Sequence, residues 1–127
     1  MGGKTKGSAA ERELVSMFWG SDWAAMRAAG SGVTRFYCPD VIVSGAKVIA
    51  FECKSTKYKH QYFDPQQISD LEKFAKAFKA EPMLAVKFST EWKFFNIADL
   101  EKTKNNFVVT SDSAKSKILR DITHSAV

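Results

Sequence analysis

Pro39-Asp40 and Glu52-Cys53-Lys54 are the residues of this chain best suited to chemistry. Two apolar runs separate them, Val41-Ile42-Val43 and Val48-Ile49-Ala50-Phe51, joined by Ser44-Gly45-Ala46-Lys47. The pattern predicts a hairpin over roughly 40–55 whose far strand ends in charges. Side chains alternate across a strand, so Glu52 and Lys54 leave it on the same face. Opposite charges at the end of a buried strand need a reason. A divalent cation held by Asp40 and Glu52 supplies one, with Lys54 beside it to hold a water or a phosphate oxygen. The competing reading is an edge-strand salt bridge, which needs no function.

The register of the hairpin bears on that choice. A two-residue loop, Gly45-Ala46, would pair Ser44 with Lys47 and set Asp40 opposite Phe51. The two carboxylates would then point to opposite sides of the sheet. A shared metal therefore requires a three-residue loop, a bulge, or a bend at Asp40 just after Pro39. Glu91-Trp92-Lys93 repeats the Glu-x-Lys spacing, but no apolar run precedes it and no upstream Asp opens a partner strand.

The elements that position these groups follow from local signals. Ser8 is expected to cap a helix running to Trp19, with Ala10, Leu14, Met17 and Phe18 as its apolar face and Gly20 as its stop. Glu11, three after Ser8, would complete a capping box. Trp23 to Met26 reads as a short strand ending at Arg27, and Ala29-Gly30-Ser31-Gly32 as a small-residue loop able to admit a ligand's backbone. After the hairpin, Lys57 to Phe63 shows no helical period. Asp64, Pro65 and Gln67 then open a second helix with a capping box, burying Ile68, Leu71, Ala75 and Phe78. Met83–Phe88 and Lys93–Ile97 read as strands, Phe107–Val109 as another, and Ser113–Thr123 as a weak terminal helix. The order αβββαββ makes an α/β sandwich, a mixed sheet with a helix on each side. Phe88, Trp92, Phe94 and Phe95 are dense for one small sheet, and Phe94 and Phe95 must face opposite ways. Surplus apolar surface of that kind suggests a dimer interface.

With 127 residues, 45% of them hydrophobic, the chain suits one ordinary globular domain, with residues 1–6 a basic arm and 110–127 a weakly structured or helical tail. No run approaches the ~18 apolar residues of a membrane-crossing helix, and the N-terminus lacks the apolar region of a secretory signal. Cys38 and Cys53 form neither a disulfide framework nor a zinc spacing, which indicates a reduced, intracellular protein. Net charge is +5, and Lys54, Lys57 and Lys59 cluster after the carboxylates. That arrangement fits a polyanionic substrate better than a merely solvated surface, and nucleic acid is the favoured class.

Taken together, the chain resembles the archaeal Holliday junction resolvases, members of the restriction-endonuclease-like PD-(D/E)xK nucleases. The likeness runs in register through Lys6-Gly7-Ser8-Ala9-Ala10-Glu11-Arg12-Glu13-Leu14, Arg27-Ala28-Ala29-Gly30-Ser31-Gly32 and Pro39-Asp40-Val41-Ile42. It continues through Ile49 to Lys57, Phe74-Ala75, Leu84 to Phe88 and Trp92 to Phe95, covering residues 6 to about 97. The resemblance implies a restriction-endonuclease-like mixed sheet flanked by helices. It further implies Mg²⁺, replaceable by Mn²⁺, held by Asp40, Glu52, the backbone carbonyl of Cys53 and the helix-borne Glu11. Lys54 would position the attacking water, and Ser31 lies where relatives carry a serine important for cleavage. Lys4, Lys6, Arg12, Arg27, Arg35, Lys57 and Lys59 would contact DNA phosphates. Cys53 departs from the aliphatic residue often found at its place. The implied activity is a homodimer nicking opposite strands of a four-way DNA junction, in the cytoplasm on the nucleoid of an archaeal or archaeal-virus host cell. A PD-(D/E)xK nuclease of another target and a non-catalytic junction-binding module are the rival readings.

Overall fold

The structure is a computed structural model and describes residues 2–28 and 36–124, with side chains from Gly7 onward. Helix α1 spans Gly2–Trp19 and leads into β1, Ala24–Arg27. The hairpin follows as β2, Val41–Ser44, and β3, Val48–Thr56. Strand β4, His60–Phe63, precedes helix α2, Pro65–Phe78, and then β5, Glu81–Phe88, and β6, Glu91–Asn96. Two short strands, β7 at Glu101–Lys102 and β8 at Phe107–Thr110, and helix α3, Leu119–Thr123, complete the described chain.

Five strands form the central sheet in the order β1-β2-β3-β5-β6. Among the described strands only β3 and β5 pair in parallel, and α2 makes the crossover between them. Helices cover both faces, as the sequence leads one to expect. On one face Ala10, Leu14 and Phe18 of α1 meet Ile49, Phe51, Met83, Ala85 and Phe94. Phe18 is the hub of that core, with ring centroids 5.6 Å from Phe51, 5.7 Å from Trp23 and 6.3 Å from Phe94. On the other face Ile68, Leu71 and Ala75 of α2 cover Ala50, Leu84, Val86 and Phe95. Strand β3, covered on both sides, therefore carries no alternation until its charged end, where burial gives way.

Several expectations are corrected. Helix α1 begins at Gly2 rather than Ser8, so Ser8 lies inside it and Ser8–Glu11 is not a capping box. Ser8 Oγ instead accepts a hydrogen bond from Arg27 Nη2 at 3.2 Å. Phe94 and Phe95 do face opposite ways, but each is buried in one of the two cores, so neither is surplus. Phe78, expected in α2's buried stripe, is 50% exposed, because the helix ends there and Lys79 turns away in the left-handed region at φ 66°. The segment after Lys57, without a helical period as expected, holds a strand that the sequence pattern did not assign: β4 pairs with β8, and β8 with β7, in a second sheet of three strands. Its pairing partner lies more than forty residues away, which no local pattern reveals. The C-terminal tail packs too, through Ile122 in the α1-side core and a bridge from Lys117 to Phe94.

Two local signals hold. Asp64 caps α2, its side chain accepting from the Gln66 N–H at 2.8 Å while Gln67 Oε1 accepts from the Asp64 N–H at 3.0 Å. The hairpin loop is Gly45-Ala46-Lys47, three residues, because Ser44 pairs with Val48. Gly45 lies against the Trp23 ring so closely that a Cβ there would overlap the indole, and Trp23 is itself buried. Gly45→Ala is accordingly expected to cost about 1–3 kcal/mol by overpacking, read as a lower midpoint in urea unfolding with the slope unchanged. An unaltered midpoint would show that Trp23 moves aside freely.

Candidate active site

Register decides what the hairpin presents. Val41 faces Phe51 and Ser44 faces Val48, and extending that pairing by one residue sets Asp40 opposite Glu52. Asp40 also bends in after Pro39: its N–H donates to the Phe51 carbonyl at 2.9 Å, one residue off the ladder, while its own carbonyl accepts from the Ala28 N–H at 3.0 Å. Both conditions that the sequence left open for a shared site, the longer loop and the bend, are met. Asp40 Oδ2 then accepts from the Cys53 N–H at 2.8 Å, continuing the ladder with a side chain where main chain is no longer in reach.

Glu52 is 8% exposed and the one charged residue among the buried described side chains. Its Oε1 accepts a hydrogen bond from the Tyr37 hydroxyl at 2.7 Å. Burial pushes the Asp40 carboxyl up to about 7, and the charge of Glu52 adds to the shift, as does that of Glu11, against the Cys53 N–H and Lys54. Glu52 is raised as well, first by burial, with Tyr37 and Lys54 opposing. Two carboxylates that each resist ionisation beside the other form a site for a hard cation, whose charge offsets both burial and repulsion. The donor set, all oxygen, fits Mg²⁺ or Mn²⁺ and not a thiolate-loving metal.

Glu11 reaches toward this pair from α1, on the opposite face of the sheet. Its Oε1 accepts from Arg27 Nε at 3.0 Å in an ion pair that both side chains partly bury. Among the described residues no three His, Cys, Asp or Glu side chains close into a ready-made cage, so Glu11 is near the pair but not joined to it. Arg27, expected on phosphate, is held by Glu11 and Ser8. Glu13, one turn-fraction further along α1, accepts from Lys87 Nζ at 2.7 Å and Trp92 Nε1 at 2.9 Å, which pins α1 to β5 and β6. These donors, Lys87 first, hold its carboxyl below the usual carboxylate range.

Lys54 projects on the same side as Glu52 and lowers the proton affinity of both carboxylates. Arg12, Lys57 and Lys59 are exposed, with Lys57 Nζ 5.9 Å from the centre of the Tyr58 ring. Ser31 and Arg35 lie outside the described residues, as do the side chains of Lys4 and Lys6. Cys38 and Cys53 are both free thiols. Burial pushes the Cys53 thiol well up, and the charges of Asp40, Glu11 and Glu52 push it the same way. The thiol therefore stays protonated, the form least open to oxidation.

Two residues near the site were not anticipated. Tyr37, two before Pro39, binds Glu52 directly. Asp70 on α2 adds negative charge that both Glu52 and Tyr37 feel, while its Oδ1 accepts from Gln66 Nε2 at 2.9 Å. Tyr37's nearness to Pro39-Asp40 was a usable signal. Asp70 offered none, since it lies eighteen positions beyond Glu52 on a helix that only the crossover brings alongside.

A family model described as archaeal Holliday junction resolvase (Hjc) matches residues 3–126. A crossover junction endodeoxyribonuclease Hjc of Archaeoglobus fulgidus is 38% identical over 108 residues, 84% of this chain and 79% of that protein. Its namesake from Sulfolobus acidocaldarius is 35% identical over 120 residues, 91% of this chain and 84% of that one. The solved structure of Archaeoglobus fulgidus Hjc, titled a Holliday junction resolvase, superposes with a TM-score of 0.77 at 36% identity, covering 83% of this chain and 88% of that one.

Proposed function

We propose that this chain, which belongs to the archaeal Holliday junction resolvase family, is a metal-dependent endodeoxyribonuclease that resolves four-way DNA junctions by paired, symmetric nicks. The observation that carries the reading is the convergence of Asp40 and the buried Glu52 at the charged end of β3, with Lys54 on the same side. Asp40 and Glu52 would hold a Mg²⁺ or Mn²⁺ ion, with the Cys53 carbonyl and Glu11 as further candidates. Such an ion, when bound, supplies Lewis acidity and lowers the pKa of a water. The rest of the work falls to the chain. Lys54 holds the attacking water in line with the scissile phosphorus and stabilises charge gathering on the phosphate oxygens. Arg27 holds Glu11 poised beside the pair, and Ser31 is a further proposed catalytic residue.

Lys4, Lys6, Arg12, Arg35, Lys57 and Lys59 are the proposed phosphate contacts. Such contacts set position rather than sequence, so selectivity would come from branch shape. Binding should weaken steeply with salt, and Lys57→Ala or Lys59→Ala should each reduce the slope of log affinity against log salt by about one. Fluorescence anisotropy over a salt series reads this, and a slope indifferent to both lysines would remove them from the interface.

A four-way junction has two-fold symmetry, so two active sites require two chains. An apolar groove of about 480 Å³ between the end of α1, β1 and the end of α2 supports the dimer. Trp19, Met26 and Phe78 line it and are 57%, 61% and 50% exposed. Sedimentation reads the dimer as a doubled mass. No helix of the described residues is long and apolar enough to cross a membrane; a DNA substrate would put the enzyme on the nucleoid, in the cytoplasm. The deciding assay compares cutting of a mobile four-way junction, a flap and plain duplex with Mg²⁺. Preference for the junction is expected, and equal rates on all three would overturn the junction reading in favour of a general nuclease.

A further inference from the structure

We propose that Tyr37 is a positioning residue that fixes the carboxylate of Glu52 for metal binding. The inference rests on the metal site described above, but assigns a role to a residue outside the PD…ExK set. The phenol donates to Glu52 Oε1 at 2.7 Å, a charge-assisted bond once Glu52 ionises. That bond fixes Oε1 and with it the plane of the carboxylate that would meet a cation. The ring is itself held: Phe74 of α2 meets it edge-on with centroids 6.3 Å apart and planes at 69°, and Phe74 stacks on Phe78 at 5.1 Å. A hydroxyl mounted on a wedged ring leaves little freedom to a glutamate that could otherwise turn about three side-chain bonds.

Position in the chain strengthens the assignment. Tyr37 and Asp40 belong to one short segment stiffened by Pro39. That segment delivers one carboxylate and orients the other, so both are set by the same four residues. Packing alone does not account for a tyrosine here. Phenylalanine would fill the same space against Phe74 without burying a hydroxyl, so the oxygen is explained by what it binds.

Tyr37→Phe isolates that oxygen. Isothermal titration with Mn²⁺, in the absence of DNA, is expected to show affinity about tenfold weaker than wild type. The Mn²⁺ or Mg²⁺ concentration for half-maximal junction cleavage should rise by a similar factor. Thermal unfolding in chelator should stay close to wild type and junction affinity in chelator unchanged, which a merely structural role would not combine with the metal effect. If Tyr37→Phe loses Mn²⁺ affinity while wild type cuts junction and duplex alike, the positioning role stands and the junction reading falls. If wild type resolves junctions and Tyr37→Phe matches it in Mn²⁺ affinity and metal dependence, the positioning role falls and the junction reading stands. A wild-type chain that takes up no Mn²⁺ would overturn the role together with the metal site.

Discussion

Glu52→Gln is expected to slow junction cleavage by roughly 10³-fold or more at saturating Mg²⁺, while junction affinity measured in chelator stays at or above wild type. The substitution keeps shape: an amide oxygen can still accept from the Tyr37 hydroxyl, which lies 2.7 Å from Oε1 in the wild type. What it removes is the charge that a cation and its water need. Removing a negative charge beside bound phosphates also gives no reason for weaker DNA binding. Single-turnover cleavage and anisotropy, run on the same preparation, separate the two effects. Cleavage within a few-fold of wild type would mean that the buried glutamate is not a metal ligand. Equal loss of cleavage and binding would mean instead that its place is structural.

Asp40→Asn should stabilise the chain in the absence of metal, and the gain should depend on pH. Burial and the neighbouring Glu52 push the Asp40 carboxyl from 3.8 up to about 7. Between those values the folded chain holds a proton that the unfolded chain has released. Stability therefore falls as pH rises from about 4 to about 7, and stays low above. The amide cannot ionise, and its oxygen can still accept from the Cys53 N–H. At pH 8 in chelator the variant is expected to exceed wild type by up to about 4 kcal/mol, many degrees in Tm, with the difference shrinking to nothing near pH 4. Mg²⁺ should raise the wild-type Tm and leave the variant nearly unmoved, since binding stabilises only the chain that binds. Wild type and variant with parallel pH–Tm curves would show that Asp40 carries no such burden. Curves that diverge as expected would make Asp40 a residue that costs stability while serving the proposed activity, the trade expected at a site built for a cation.

Local chemistry is legible in the sequence itself. Asp64, Pro65 and Gln67 open α2 where their side chains require, because a helix cap is satisfied within four residues. The apolar runs of the hairpin, and the charges closing β3, marked out the candidate end of the sheet for a similar reason: alternation and burial are short-range patterns. The same logic failed at Ser8, whose capping box is a chance spacing inside a helix that starts at Gly2. Membership of Phe94 and Phe95 in two separate cores depended on both faces of the sheet being covered, which alternation does not state.

The residue types and spacing of Asp40, Glu52 and Lys54 determined the chemistry open to this protein, since hard oxygen donors and a lysine are properties of the chain. Whether those donors could meet was a question of one residue in the loop at Gly45, Ala46 and Lys47. A strand repeats every second residue, so a change of one turns every side chain to the other face, and only pairing across the sheet selects the register. Tertiary structure alone also set the Tyr37 hydroxyl on Glu52, Arg27 on Glu11 and Asp70 alongside. Each of those contacts joins segments that the chain folds together from a distance, and beyond Tyr37's place beside Pro39-Asp40 the sequence spacing carries no record of them.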